Sequence, residues 1–382
     1  MKEISVTEVA RKSDLREFVE FPMELYAGCP YYVPPLLSDE YDTFSRKKNP
    51  AFDVSDAKLF LARDGSKAVG RIAALVNHLR NEKYNKKNLD FAWFDCVNDA
   101  QVASALFGAA EDWARTLGLT AIVGPEGFDI LSTTGMLVEG FDHLATMANP
   151  YNYPYYADLV EQYGFTKEID FVEFRLKNIC TTPFPPRLAS IAERAKRLGG
   201  YRVLEFRKKK EMLGRAPEVL RLVEDTYSQL YGSAPLTERQ KAYYAKKFFR
   251  YLKKELVKVV VNKDDEVIGF FIAIPSISEA LQKARGRLFP FGFIHLLRAT
   301  RNGNKVMDFC LGGVKEEYRG RGVDLVMAVA MHETATQLGF ECAETNPELE
   351  DNMRVQSEWK YFDHVQHKRR RVYRKAIPVD RD

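Results

Sequence analysis

What the sequence lacks narrows its chemistry first. Its five cysteines (Cys29, Cys96, Cys180, Cys310 and Cys342) are far apart and form no CxxC pair, so neither a zinc ribbon nor a thioredoxin-type redox site can be built. An odd number of isolated thiols is the pattern of small buried hydrophobes kept reduced. There is no HExxH, no GxSxG and no Walker A run, which removes the zincin, serine-hydrolase and P-loop readings that need them. Of the six histidines only His364 and His367 are close together. In a strand that spacing points them to opposite faces, so no shared metal is expected. No apolar run approaches the ~18 to 20 residues of a membrane span, and mean hydropathy is −0.33. The opening MKEISVTEVARKSDLREF carries charge where a signal peptide needs an apolar stretch. A cytoplasmic protein with no membrane partner is the expectation.

No excess of either charge is present. Lys and Arg number 57 against 53 Asp and Glu, a net +4, which argues against a general nucleic-acid binder. The 382 residues are 46% hydrophobic, 12% aromatic and 29% charged, the profile of a folded chain long enough for two or three cores.

One boundary stands out. Residues 178–189, NICTTPFPPRLA, hold three prolines and no period, and read as a linker between halves 1–178 and 179–382. Each half has the same order of elements: helices, a β-hairpin, a strand, a long helix, then further strands. In the first half Ala57–Ala62 and Ala68–Val76 flank the turn Arg63-Asp64-Gly65-Ser66. In the second, Leu256–Val261 and Glu266–Ile274 flank Asn262-Lys263-Asp264-Asp265. The next strands are Phe91–Val97 and Lys305–Val314. Long helices Asp99–Leu117 and Val323–Leu338 follow, each closed by a glycine (Gly118, Gly339), then strands at Ala121–Val123 and Glu341–Thr345. Two copies of one α/β unit are predicted.

The stretch Leu311–Met327, LGGVKEEYRGRGVDLVM, carries the chemistry. A strand ends near Val314, a basic glycine-bearing loop follows, and an apolar helix begins near Val323. Such a turn aims backbone N–H groups and a positive helix end at one point, which suits a phosphate. The third glycine of a GxGxxG fingerprint would fall at Leu325, so a dinucleotide site is excluded. The loop resembles the Arg/Gln-x-x-Gly-x-Gly/Ala signature of the GNAT superfamily of acyl-CoA-dependent N-acyltransferases. Arg319, Gly320, Arg321, Gly322, Val323 and Asp324 fill its six positions, and Val314 to Tyr318 matches its V-x-x-x-Y approach. Asp324 stands where the signature closes with Gly or Ala. A later family pattern, Asn-(x)6-Tyr-x-x-x-Gly-Phe, starts here at Asn352 and reaches Trp359, Asp363 and His364. Trp359 thus takes the place of the tyrosine that protonates the departing thiolate. Tyr361, two positions on, is the alternative, although residues i and i+2 of a helix point ~200° apart. In the first half Leu159–Phe165 is similar to the family's closing element, while the loop Val97–Gln101 has neither glycine nor positive charge. There Asp99 reads as a helix N-cap.

The resemblance implies an α/β fold of two GNAT-like units, each a mixed, mainly antiparallel twisted sheet flanked by helices. The first would be a diverged partner domain, and the second would hold acetyl-CoA or another acyl-CoA as co-substrate, with no metal. Val314, Arg319–Asp324 and Asn352 would bind the cofactor. The implied reaction is transfer of an acyl group, acetyl by expectation, to a small-molecule or peptide amine by direct attack. Asp308 and Glu344, acidic residues on central strands, are candidate bases beside Tyr361 as acid, each with a surface or salt-bridged role as the plainer alternative. The tandem order is also similar to Fem-type aminoacyl transferases, which use a tRNA donor, and to N-myristoyl transferases. A degenerate ligand-binding or scaffold protein is the second reading, and a Fem-like transferase the third. A nucleic-acid partner is not expected, and the sequence leaves the oligomeric state and acceptor open.

Three further segments draw notice. Gly124–Asp142 holds four glycines and precedes the tyrosine-rich run Asn149–Tyr156; the two could line a substrate pocket or fasten loops to a domain. The tail HKRRRVYRK (His367–Lys375) has six basic residues and predicts a solvated edge strand blunted by charge, an anchor for the 3′-phosphate of CoA being the alternative. Leu288–Arg298, LFPFGFIHLLR, reads as core or domain-contact sequence, with an acyl-chain pocket as the lesser option.

Overall fold

The computed structural model describes residues 4–301 and 304–378. Its strands are β1 (Ile4–Glu8), β2 (Ser55–Asp64), β3 (Lys67–Asn77), β4 (Asn88–Cys96), β5 (Ala121–Gly124), β6 (Met136–Glu139), β7 (Thr166–Leu176), β8 (Arg202–Val203), β9 (Val257–Val261), β10 (Val267–Pro275), β11 (Val306–Val314), β12 (Cys342–Glu344), β13 (Glu348–Leu349) and β14 (His364–Ala376). All belong to one mixed sheet. Its order is β1-β2-β3-β4-β5-β14-β7-β12-β11-β10-β9-β8, with β6 beside β14 and β13 beside β7.

The order is palindromic in kind. β1 to β5 and β8 to β12 are the same five-strand run, antiparallel until the last pair, where β4–β5 and β11–β12 are parallel. Helix Ala100–Thr116 crosses from β4 to β5, and helix Val323–Leu338 from β11 to β12. The expected caps hold. The Asp99 carboxylate accepts from Gln101 N at 2.8 Å, and Gly339, at φ 75°, closes the second helix by donating to Ala335 O. Both hairpins form as predicted. In the second, Asn262 Oδ1 accepts from the N–H groups of Asp264 and Glu266, each at 3.0 Å, so an asparagine side chain folds the turn.

The halves meet by exchanging strands. β14, from the end of the chain, lies antiparallel between β5 and β7, while β7, from the first half, pairs antiparallel with β12 of the second. The largest core cluster joins Phe91, Phe94 and Phe107 of the first half to Ile274, Ile277 and Leu281 of the second and Tyr373 of β14. Asp129 ties the halves again, accepting from Gln240 at 3.1 Å and from Tyr244 at 2.7 Å.

The charged tail is therefore not a solvated edge. It is a central strand, in which Lys368 and Arg370 are each 1% exposed. Arg370 Nε donates to Glu173 at 2.5 Å, and its Nη atoms donate to the carbonyls of Pro150 (2.8 Å) and Asn149 (3.2 Å). Lys368 Nζ lies 3.1 Å from Glu344 and 3.9 Å from Glu173. Carboxylates on the flanking strands let basic residues enter the sheet interior, where an unpaired charge would be excluded. The tail shares no cavity with the Arg319–Asp324 loop, so it offers no 3′-phosphate anchor there.

The tyrosine-rich run also packs inward. Tyr151 and Tyr153 sit against Tyr26, and Tyr26 donates to Asp95 (2.8 Å). Here the run fastens its own unit and, through Asn149 and Pro150, the strand β14 that comes from the second half. The segment Leu288–Arg298 is core on one side only: Leu288 and Leu296 pack on the main cluster, but Phe289, Phe291 and Phe293 are exposed. A helix, Gly292–Arg301, runs through it, and a single face of a surface helix reaches the core.

Candidate active site

A cavity of about 1110 Å³ opens where β11 and β12 part. These strands pair through three residues, Val306↔Cys342 to Asp308↔Glu344, and then diverge. A bulge opposite Ile272/Ala273 puts Cys310 as an extra residue in β11, bending the strand and turning its backbone. Asn346 Nδ2 donates to Cys310 O at 2.6 Å, bridging the two strands beyond the split. Phe309, Met327, Met331, Trp359 and Phe362 give the cavity an apolar wall on the second half, while Glu126, Phe128, Asp129 and Leu131 of the Gly124–Asp142 loop reach it from the first. That loop does line a pocket, as one of its two readings held.

The Arg319–Asp324 loop borders this cavity. Gly320 and Gly322 have φ values of 72° and 83°, a left-handed conformation that glycine adopts without strain. A Cβ on Gly322 would come 2.8 Å from Ala195 Cβ. Arg319 Nε donates to Val314 O at 3.2 Å, folding the loop back on its strand, and the Arg321 guanidinium lies 5.6 Å from the Tyr318 ring. The first N–H groups of the following helix have no intrahelical acceptor. This backbone suits a pyrophosphate: Gly320 leaves the approach open, with nothing within 4 Å of where a Cβ would stand, while Gly322 lets the turn pack against Ala195, and the N-terminus of a helix follows.

Of the residues expected at the site, Val314, Arg319, Gly320, Asp324, Asn352 and Tyr361 line the cavity. Val323 is instead buried in the core under the helix, and neither Arg321 nor Gly322 is part of the wall. Asn352 caps helix Met353–Trp359, accepting from Val355 N. Because that helix ends at Trp359, the rotation separating i from i+2 does not apply, and Trp359 and Tyr361 line the same space.

Asp308 and Glu344 are adjacent in register but do not form the cavity wall. Both are buried. Burial, then the nearby Glu344 charge, pushes Asp308 up to about 7, and its Oδ1 has no hydrogen-bond partner. Glu344 is held down at about 2, against the cost of burial, by hydrogen bonds and charge from His367 and Lys368. His367 Nε2 is 3.3 Å and Lys368 Nζ 3.1 Å from Glu344 Oε2. These residues knit the exchanged strands together.

Two carboxylates that the sequence reading passed over do face the cavity. Burial, then the charge of Glu358, pushes Glu348 up to about 8 even though Trp359 opposes the shift. Trp359 Nε1 donates to its two oxygens at 3.0 and 3.2 Å. Glu348 follows the bridging Asn346 by two residues, so it sits beside the split. Burial, then the charge of Asp324, raises Glu358 to about 7. The signal available in sequence was only an acidic residue after Asn346-Pro347, with nothing to show its burial.

The comparisons agree with this architecture. No protein-family model matches the chain. It is 30% identical over 372 residues to protein YghO of Escherichia coli, covering 96% of this chain and 94% of that protein. It is also 30% identical over 387 residues to a bacterial ceramide synthase of Caulobacter vibrioides, covering 98% of both. A tandem GNAT protein from the clavulanic acid biosynthesis pathway superposes with TM-score 0.57 at 14% identity, covering 99% of this chain and all of that one. A GCN5-related N-acetyltransferase of Sphaerobacter thermophilus gives 0.50 at 12% identity over 99% and 97%. With two such units in one sheet and a loop-to-helix turn beside a split strand pair, the chain has the fold of these tandem GNAT proteins. It is a member of the family that includes YghO and the Caulobacter ceramide synthase.

Proposed function

We propose that the protein is an N-acyltransferase that moves a long acyl group from CoA to the amine of a long-chain acceptor, with residues 1–178 as partner unit and 179–382 as donor-binding unit. The carrying observation is the cavity: at about 1110 Å³ it exceeds the ~300–1,000 Å³ typical of sites for drug-sized ligands, and its wall is mainly apolar. An acetyl group would leave most of it empty. Ceramide is an amide of a fatty acid with a long-chain amino alcohol, so the name of the Caulobacter relative fits a cavity of this kind.

In this reading Gly320 and the helix N–H groups hold the CoA pyrophosphate, and Gly322 lets the loop turn into that helix. Its thioester lies at the split between β11 and β12, where backbone N–H groups near the Cys310 bulge receive the oxyanion. Glu348 takes the proton of the acceptor ammonium. The amine nitrogen then attacks the thioester carbon, and the tetrahedral intermediate collapses to an amide and CoA thiolate. Tyr361 gives its proton to that thiolate and takes the second proton of the nitrogen in exchange, while Glu348 releases the first to solvent. Asp308 and Glu344 keep a structural role.

The test is turnover with palmitoyl-CoA and sphinganine against acetyl-CoA and the same amine. Amide formation from palmitoyl-CoA at least about tenfold faster supports the reading; a preference for acetyl-CoA refutes the long-chain assignment.

Asp324 gives a separate expectation. Its carboxylate stands in the first helical turn, beside the proposed pyrophosphate. Asp324→Ala should tighten CoA binding by about 1 kcal/mol, less as salt is raised, because an exposed charge pair is screened. Calorimetric titration at low and high salt reads both. Weaker binding by the variant would dismiss the loop as the phosphate site.

A further inference from the structure

The exposed phenylalanines of the described residues, Phe289 (79%), Phe291 (70%) and Phe293 (44%), fall within five positions, with Leu297 (42%) one helical turn beyond Phe293. Phe293 and Leu297 share a face of helix Gly292–Arg301, while Leu296 and Ala299 on its other side pack against the main core. The helix is thus fixed by one face and presents the other. Scattered exposed hydrophobes are ordinary, but three phenylalanines at one tip form a patch.

The unpaired charge around the patch is positive. Residues 280–300 contain Lys283, Arg285, Arg287 and Arg298 and no Asp or Glu. Arg287 is paired with Glu20 at 3.0 Å, and Lys283 with Glu279 at 3.4 Å. Arg285 and Arg298 are exposed and have no ion-pair partner among the described residues. Exposed aromatic rings flanked by unpaired arginines are what an interfacial helix uses: rings enter the boundary between headgroups and acyl chains, and guanidinium groups meet anionic headgroups. The helix that carries the patch also packs on a helix that contributes to the cavity. Leu281, in the helix Ser278–Ala284 just before it, lines that cavity and shares a core cluster with Leu288 and Leu296.

We infer that Phe289–Arg298 is a docking surface for an anionic lipid bilayer, which it meets peripherally without crossing. No helix among the described residues is long and apolar enough to span a membrane. Docking rests on the patch alone and stands whether or not the acyl-transfer reading does. If both hold, the enzyme would work at the surface where its long-chain substrates reside.

Flotation of the purified full-length protein with vesicles tests this with no substrate present. Wild type should rise with phosphatidylcholine vesicles containing about one third phosphatidylglycerol. It should bind pure phosphatidylcholine at least about tenfold less, and high salt should release it. Phe289→Ser/Phe291→Ser should stay in the dense fractions while melting like wild type, and Arg285→Gln/Arg298→Gln should lose about tenfold in binding. Wild type remaining dense with anionic vesicles overturns the inference. So does a wild-type oligomer that the phenylalanine variant converts to monomer without any vesicle binding, since the patch would then cover itself with a second copy. Should the double serine variant fail to fold, Phe291→Trp decides: a blue shift of its fluorescence on adding anionic vesicles is expected, and no shift is fatal.

Discussion

Glu348→Gln is expected to lower turnover by about 10²- to 10⁴-fold, the usual worth of a general base, with little change in CoA affinity. In wild type, turnover should rise with pH through about 8 as Glu348 ionises, and the variant should lose that limb. A stability readout separates chemistry from folding. The folded-state pKa of Glu348 lies above the ordinary carboxylate value, so its contribution is present at low pH and lost as pH rises through about 8. Glutamine stays neutral, so the variant should gain stability relative to wild type across that rise. Unchanged turnover in Glu348→Gln would remove the residue from the mechanism. Trp359→Phe should shift the wild-type limb to higher pH, because it deletes the indole N–H that favours the ionised form.

Arg370→Met should destabilise the fold by about 3–5 kcal/mol, because Glu173 would then be left buried without its closest cation. At about 2.1 cal/mol/K of unfolding entropy per residue, that lowers the melting temperature by about 4–6 °C. The double variant Arg370→Met/Glu173→Leu should recover most of the loss, since replacing both charges by apolar groups removes the stranded carboxylate. Lys368 keeps Glu344 as a partner in that double variant. Thermal melts of the three proteins measure this. An Arg370→Met melt equal to wild type would show that water reaches Glu173.

Local chemistry was legible, and placement across the chain was not. The Asp-Gly hairpin, the Asp99 cap, the Gly339 stop and the Arg319–Asp324 loop each depend on residues a few positions apart, so their signals are complete in the sequence. The basic strand was misread because its burial depends on Glu173 and Glu344, which come from strands remote in the chain. A run of positive charge looks like an edge until those partners are known. Glu348 was passed over for the same reason: its pKa depends on burial and on Trp359 and Glu358, and a two-residue strand after a proline has no period. The run Leu288–Arg298 has the composition of a core, and only the fold decides which of its aromatic rings face outward.

The exchanged strands bear on how the protein is made. Synthesis runs from the N-terminus, so β5 and β7 leave the ribosome long before β14, the strand that lies between them. Until β14 emerges, the nascent first half carries two unpaired strand edges and can recruit another copy or a chaperone in place of its own C-terminus. A premature stop before His364 would therefore leave both halves unfinished: β5 would lose its neighbour, and β7 would hold β12 on one side with nothing on the other.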